Sequence, residues 1–201
     1  YDLEEATKRI PPESTYKIYD ALLGLESGII TPEHSSMTWN GDAFPFPSWE
    51  ADQDLNSAMQ NSVNWYFQAI DSQLGINRVQ EFLNKIEYGN QTTSSNLDLY
   101  WSDFSLKISP LEQVTLLKKF NTNEFHLNFQ NVFSTPNGNF YGKTGTGRVN
   151  GQDINGWFIG YVETSDNSYY FATNIQSDSN ATGKKAFEIT SDILKKLHIW
   201  N

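Results

Sequence analysis

Cysteine is absent from all 201 residues, which excludes disulfide staples, thiolate metal sites and a cysteine nucleophile. Long apolar runs are missing too: no stretch approaches the roughly 20 residues a membrane-spanning helix needs, and no signal peptide opens the chain. Positive charge is scarce. Fourteen Lys and Arg against 24 Asp and Glu leave a formal net charge of -10. With no basic block and no Lys/Arg-studded aromatic stripe, nucleic acid is not an expected partner, and neither is an anionic membrane surface. The three histidines, His34, His126 and His198, are scattered without ligand spacing, so no metal site is expected.

What the chain has in quantity is aromatic residues, six Trp, ten Tyr and thirteen Phe, enough material for a single sizeable core. The opening Tyr1-Asp2-Leu3 lacks Met and reads as the end of a strand, so the chain is expected to be part of something longer. Residues 1–11 then form a charged loop stopped by Pro11-Pro12. Apolar spacing predicts helices from Ser14 to Leu25, from Leu55 towards Ser62, from Val63 to Leu74, over Val79 to Ile86, and over 110–120. Asp54 is the expected cap of the second, and Ser109-Pro110-Leu111-Glu112 is a well-formed helix start. Thr31 to Trp49, rich in Pro, Gly and aromatics, is expected to be a long ordered loop. Residues 121–139 show no period and stay unassigned.

From Phe140 the pattern turns to strands. Gly156–Glu163 and Ser168–Ile175 flank a Ser-Asp-Asn turn, a hairpin signal, and Ala181 to Leu197 closes as an amphipathic helix. Helices in the middle and strands at the end imply an α+β fold. The expected arrangement is one domain over 1–201: a mostly antiparallel sheet flanked by terminal helices (sheet and last helix about 138–201), with an inserted all-helical lobe (about 31–120).

Ser14 and Lys17 carry the first chemical signal. Three residues apart at a helix mouth, they share a face, so the amine can reach the hydroxyl. Unpaired N–H groups there favour developing negative charge. A serine hydroxyl needs a neighbouring base to become a nucleophile, and lysine can serve only if burial lowers its pKa. A chain of this length carries about one Ser-x-x-Lys by accident, so on the pair alone a plain cap and a solvated lysine is the favoured reading.

Further motifs follow in order: Ser62-Val63-Asn64 at a helix junction, Tyr88-Gly89-Asn90 at a helix end, and Lys143-Thr144-Gly145-Thr146 in a strand. Singly, each has a bland reading as cap, surface amide, turn residue or exposed strand lysine. Together they match the S-x-x-K, S-x-N and K-T-G signature of the serine penicillin-recognising enzymes. With Pro12-x-Ser-Thr-Tyr-Lys-Ile, Trp49-x-x-Asp52-x-Asp54-Leu55, Ala58 to Phe67, Trp101 and Trp157-Phe158-Ile159-Gly160, the chain resembles class D β-lactamases. More narrowly it is similar to the extracellular sensor domain of BlaR/MecR-type β-lactam transducers. The resemblance runs through nearly the whole chain and is weakest over 121–139.

The resemblance implies a serine β-lactamase/penicillin-binding-protein-like fold with the active site between sheet and helical lobe. It implies that Ser14 attacks a strained amide after Lys17 accepts its proton, with Ser14 and Thr146 N–H groups as the oxyanion hole. Lys143, Thr144 and Thr146 would hold a substrate carboxylate, Ser62 would relay a proton to the leaving nitrogen, and Gly145, Tyr88 and Asn90 would complete the substrate side. No cofactor is implied beyond CO2 as a carbamate on Lys17, steadied by Trp101. The implied partners are β-lactam antibiotics, bound covalently, and the transmembrane and zinc-protease portions of a full-length chain. The implied location is the outer face of a bacterial plasma membrane.

One departure matters. Class D hydrolases usually place Val two residues after the second-motif serine, where this chain has Asn64. An amide there favours the bare amine over the carbamate, and the acyl-enzyme is expected to persist. The alternatives are a class D β-lactamase, a D-Ala-D-Ala peptidase or transpeptidase, and a non-catalytic binding module.

Overall fold

Two runs rich in aromatic and β-branched residues become the hairpin of the sheet. β2 (Gln152–Glu163) and β3 (Ser168–Gln176) pair antiparallel from Asn155↔Gln176 to Glu163↔Ser168. β1 (Phe140–Val149) pairs with the other side of β2, with Lys143 opposite Ile159 and Gly145 opposite Trp157, so the order is β1-β2-β3. The structure, a computed structural model, describes residues 2–121 and 140–200. All but the first residue of the unassigned stretch 121–139 lies outside the described residues.

β2 is buried on both faces from Asn155 to Val162, which explains its near-continuous apolar sequence. On one side Phe158 and Val162 pack with Phe140 of β1 and with Ala186 and Leu194 of the closing helix α7 (Gly183–Lys196). On the other, Trp157, Ile159 and Tyr161 join the main core around α2 (Lys17–Glu26). α2 is buried along its length, from Lys17 through Gly24. Removing the Leu22 side chain from this setting costs roughly 2–5 kcal/mol.

The opening segment differs from the sequence expectation. Leu3–Thr7 is a short helix, α1, not a strand end. The Asp2 carboxylate accepts from the Glu4 and Glu5 N–H groups at 3.1 and 3.3 Å, and that cap sets the local conformation. The remaining helices follow their signals: α3 (Leu55–Gln60), α4 (Asn64–Leu74), α5 (Ile76–Ile86) and α6 (Pro110–Asn121). Asp54 and Ser57 make a reciprocal capping box on α3. Ser109 and Glu112 do the same on α6, and Glu112 also receives the Arg9 guanidinium.

The aromatic loop is ordered as expected. Met37 and Gln53 form an isolated antiparallel bridge, and Phe44 and Phe46 pack their rings on Trp49. Trp49 Nε1 donates to Asn61 O at 3.0 Å, and Trp65 Nε1 donates to Trp49 O at 2.9 Å. These bonds pin the loop to the α3–α4 junction, facing β1.

Candidate active site

Ser14 lies in a tight 3-10 turn, Glu13–Tyr16, that runs directly into α2. Thr15 locks the turn: its Oγ1 donates to Pro12 O at 2.6 Å and accepts from Gln113 Nε2 at 3.0 Å. Glu13, just before Ser14, takes a left-handed backbone with φ of 53°, and Ser62, between α3 and α4, does the same with φ of 56°. Such conformations cost roughly 1–3 kcal/mol in non-glycine residues and persist where the surroundings impose them. Here one precedes the first serine of the site and the other is the second serine itself.

Lys17 is the hub. Its Nζ lies 2.7 Å from Ser14 Oγ and 2.7 Å from Asn64 Oδ1, 4.4 Å from the centre of the Trp101 ring and 5.9 Å from that of Phe67. The residue is fully buried. Burial, reinforced by the nearby Lys143 charge, holds its pKa well below the usual lysine range, against the opposing pull of Asp20 and Glu13. An amine so placed gives up its proton more readily than an exposed lysine and is the better base for it. With one of its N–H groups donated to Asn64 Oδ1, the free amine can aim its lone pair at the Ser14 hydroxyl. The Trp101 Nε1 hydrogen is buried and, among the described residues, has no hydrogen-bond partner.

The second cation, Lys143, sits on β1 and donates to the Ser62 hydroxyl and to Thr144 O. Burial lowers its pKa to about 7. Thr146 Oγ1 accepts from Gly183 N at 2.9 Å, tying β1 to the start of α7. Gly145 permits the close approach of strand and nucleophile: a Cβ there would lie 3.1 Å from Pro12 O and 3.3 Å from Ser14 N. Among the described residues β1 is an edge strand of the sheet, so its outer side is available to the Ser14 turn.

These groups surround a cleft of about 350 Å³ lined by Ser14, Ser62, Asn64, Thr144, Gly145 and Thr146, with Phe46 and Trp49 as an aromatic wall. Of the residues singled out in the sequence, Ser14, Lys17, Ser62, Asn64, Trp101, Lys143, Thr144, Gly145 and Thr146 are thus brought together. Tyr88 and Asn90 are not. Tyr88 is fully buried against Tyr16 and Tyr19. The Asn90 amide binds backbone, donating to Ser105 O at 2.7 Å and accepting from Lys107 N at 2.8 Å. Their triplet braces the segment that carries Trp101. Glu13 was not singled out, because an acid in a first helical turn reads as an ordinary solvated charge; here it is buried.

Among the described residues no group of His, Asp and Glu could hold a metal ion, and no helix is long and apolar enough to cross a membrane.

Residues 1–132 and 126–195 match the family described as the penicillin binding protein transpeptidase domain. The regulatory protein BlaR1 of Bacillus licheniformis is 48% identical over 100% of the chain, which spans 35% of that relative's length. Among solved structures, the C-terminal domain of the Bacillus licheniformis BlaR penicillin-receptor superposes with a TM-score of 0.92 at 48% identity, covering 100% of the chain and 85% of the other. A class D β-lactamase from Bacillus subtilis superposes with a TM-score of 0.90 at 36% identity, covering 100% and 86%.

Proposed function

Because the chain belongs to the penicillin-binding-protein transpeptidase-domain family, with the α+β fold of class D β-lactamases, we propose that it is a β-lactam receptor whose Ser14 is acylated and then stays acylated. The observation that carries this reading is the Lys17 amine held between Ser14 Oγ and Asn64 Oδ1, each at 2.7 Å.

In the acylation step the Ser14 proton passes to the Lys17 lone pair as Oγ bonds to the lactam carbonyl carbon. The carbonyl oxygen takes the negative charge between the Ser14 and Thr146 N–H groups. When the carbon–nitrogen bond breaks, the Ser62 hydroxyl gives its proton to the nitrogen and regains one from the Lys143 ammonium to which it is bonded. Lys143, with the Thr144 and Thr146 hydroxyls, holds the substrate carboxylate. The products are a serine ester and a ring-opened amine.

Hydrolysis of that ester needs a base for water. A carbamate on Lys17 would supply one, and Trp101 Nε1, buried without a partner among the described residues, is the donor that would hold it. This orphan N–H is what favours the second reading, a class D β-lactamase. Asn64 works against it by accepting an N–H of the unmodified amine. On the receptor reading the domain sits on the outer face of a bacterial membrane, within a longer transducer that adds transmembrane and zinc-protease portions.

Intact mass spectrometry after mixing with benzylpenicillin tests the proposal. A stoichiometric adduct lasting hours is expected, and Ser14→Ala should abolish it while far-UV circular dichroism stays the same. Rapid return to the unmodified mass would identify a β-lactamase; D-Ala release from a peptide would identify a peptidase. No adduct at all would leave a binding module.

A further inference from the structure

Glu13 is the carboxylate nearest the nucleophile in sequence, and the sheet is shaped around it. Its left-handed backbone, φ 53°, turns the side chain away from α2 and onto the β1–β2 pair. There Asn155 Nδ2 donates to Glu13 Oε1 at 3.2 Å and also to Pro11 O at 3.0 Å. Asn155 is itself fixed, since its Oδ1 accepts from Asn174 Nδ2 on β3 at 2.8 Å. Opposite Asn155 on β1 stands Gly147, and a Cβ at that position would lie 2.3 Å from Glu13 Oε1. A glycine on one strand and an asparagine on the next thus make a slot for this carboxyl. The Glu13 N–H donates to Trp101 O at 3.1 Å, so one residue ties the nucleophile turn both to the sheet and to the segment carrying the tryptophan beside Lys17.

We infer that Glu13 is a positioning residue for acylation: its side chain, slotted against Gly147 and held by Asn155, fixes the Ser14 turn against β1. The inference rests on the acylation reading above and deepens it.

The charged groups facing the turn come from three elements. Lys17 and Asp20 are on α2, Lys143 and Arg148 on β1, and Asp153 on β2. Arg148 and Asp153 bind each other and Lys143 binds Ser62. Of these, Lys17 bears on Glu13, and Glu13 in turn raises Lys17. Burial lifts the Glu13 pKa to about 7, against the Asn155 hydrogen bond and the Lys17 charge.

The test compares the second-order rate of benzylpenicillin acylation, read by intact mass, for the unaltered chain, Glu13→Gln and Glu13→Ala from pH 5.5 to 8.5. Gln keeps an acceptor for Asn155 but carries no charge. The Gln variant should stay within about threefold of the parent's rate, while Glu13→Ala should lose at least about tenfold in the covalent step, with initial binding, separated by saturation kinetics, unchanged. Glu13→Ala should be slower than Glu13→Gln throughout, because the slot is emptied. A Glu13→Ala variant that acylates at the parent's rate overturns the inference, as does a Gln variant as slow as the Ala one. If the Ala variant does not fold, Asn155→Ala, which removes the donor to Glu13 Oε1, takes its place, and an unchanged covalent step there overturns the inference. If the unaltered chain gains no mass, the acylation reading fails and takes the inference with it; a normal adduct with unchanged rates in the variants removes the Glu13 inference alone.

Discussion

The side-chain carbonyl of Asn64 lies 2.7 Å from the Lys17 amine, so a residue on α4 decides what the base on α2 is free to do. An amide acceptor there rewards a nitrogen that keeps its N–H groups. Asn64→Val removes that reward and makes the surroundings of Lys17 more apolar. The lifetime of the benzylpenicillin adduct should fall by more than about tenfold, equivalent to about 1.4 kcal/mol in the deacylation barrier, with a further fall in added bicarbonate. An unchanged lifetime by intact mass would contradict this account of why the ester persists.

Lys143 gives a prediction in pH. With its pKa lowered by burial to about 7, it is charged below neutrality and loses that charge above it. The non-covalent complex with a carboxylate-bearing β-lactam should therefore weaken as pH rises through 7. The methyl ester of the same compound should show no such trend. Saturation kinetics of acylation, which separate initial binding from the covalent step, measure both.

Asn90 is a brace in this structure, so its removal should act on stability. Asn90→Ala leaves the Lys107 N–H and the Ser105 carbonyl without their side-chain partner, at a cost of roughly 1–3 kcal/mol. Thermal unfolding should show the loss, while adduct stoichiometry with benzylpenicillin at 25 °C stays at one. A fully stable variant that no longer acylates would return Asn90 to the substrate side.

Between α2 and α4 lies a pair of buried acids, Asp20 and Asp71, with Tyr100 OH 3.4 Å from Asp71 Oδ1. Burial holds both carboxyls above the ordinary range. The folded state therefore binds protons that the unfolded chain has released, and this pair's contribution falls as pH rises above the unfolded values. Asp71→Asn removes part of that dependence. The melting temperature of the variant minus that of the parent should climb by at least about 3 °C between pH 5 and pH 8, the scale of one kcal/mol in a domain of this size. A constant difference would show that Asp71 does not change its protonation on unfolding.

The chemistry was legible because its residues come as short motifs whose elements are also locally specified. Ser14 and Lys17 share a turn, Ser62 and Asn64 bracket a helix start, and Lys143 to Thr146 occupy one strand edge. Caps such as Asp54 and Ser109 announced their helices for the same reason. What escaped is non-local or too brief. Leu3–Thr7 is too short for a helical period to register, and the cap at Asp2 decided it. The roles of Tyr88 and Asn90 depend on Tyr16, Ser105 and Lys107, contacts that no triplet can announce. The burial of Glu13 needs Gly147 and Asn155, more than 130 residues further along the chain.

α2 is enclosed from Lys17 to Gly24 and begins one turn from the nucleophile. A bulky group bonded to Ser14 therefore meets an anvil on its inner side and cannot be accommodated by retreat. The space it demands has to come from the opposite rim, where Phe46 is half exposed and its ring lies tilted against Trp49. Whatever displacement an antibiotic imprints on this molecule should begin at that aromatic lip rather than along the helix that carries the reactive hydroxyl.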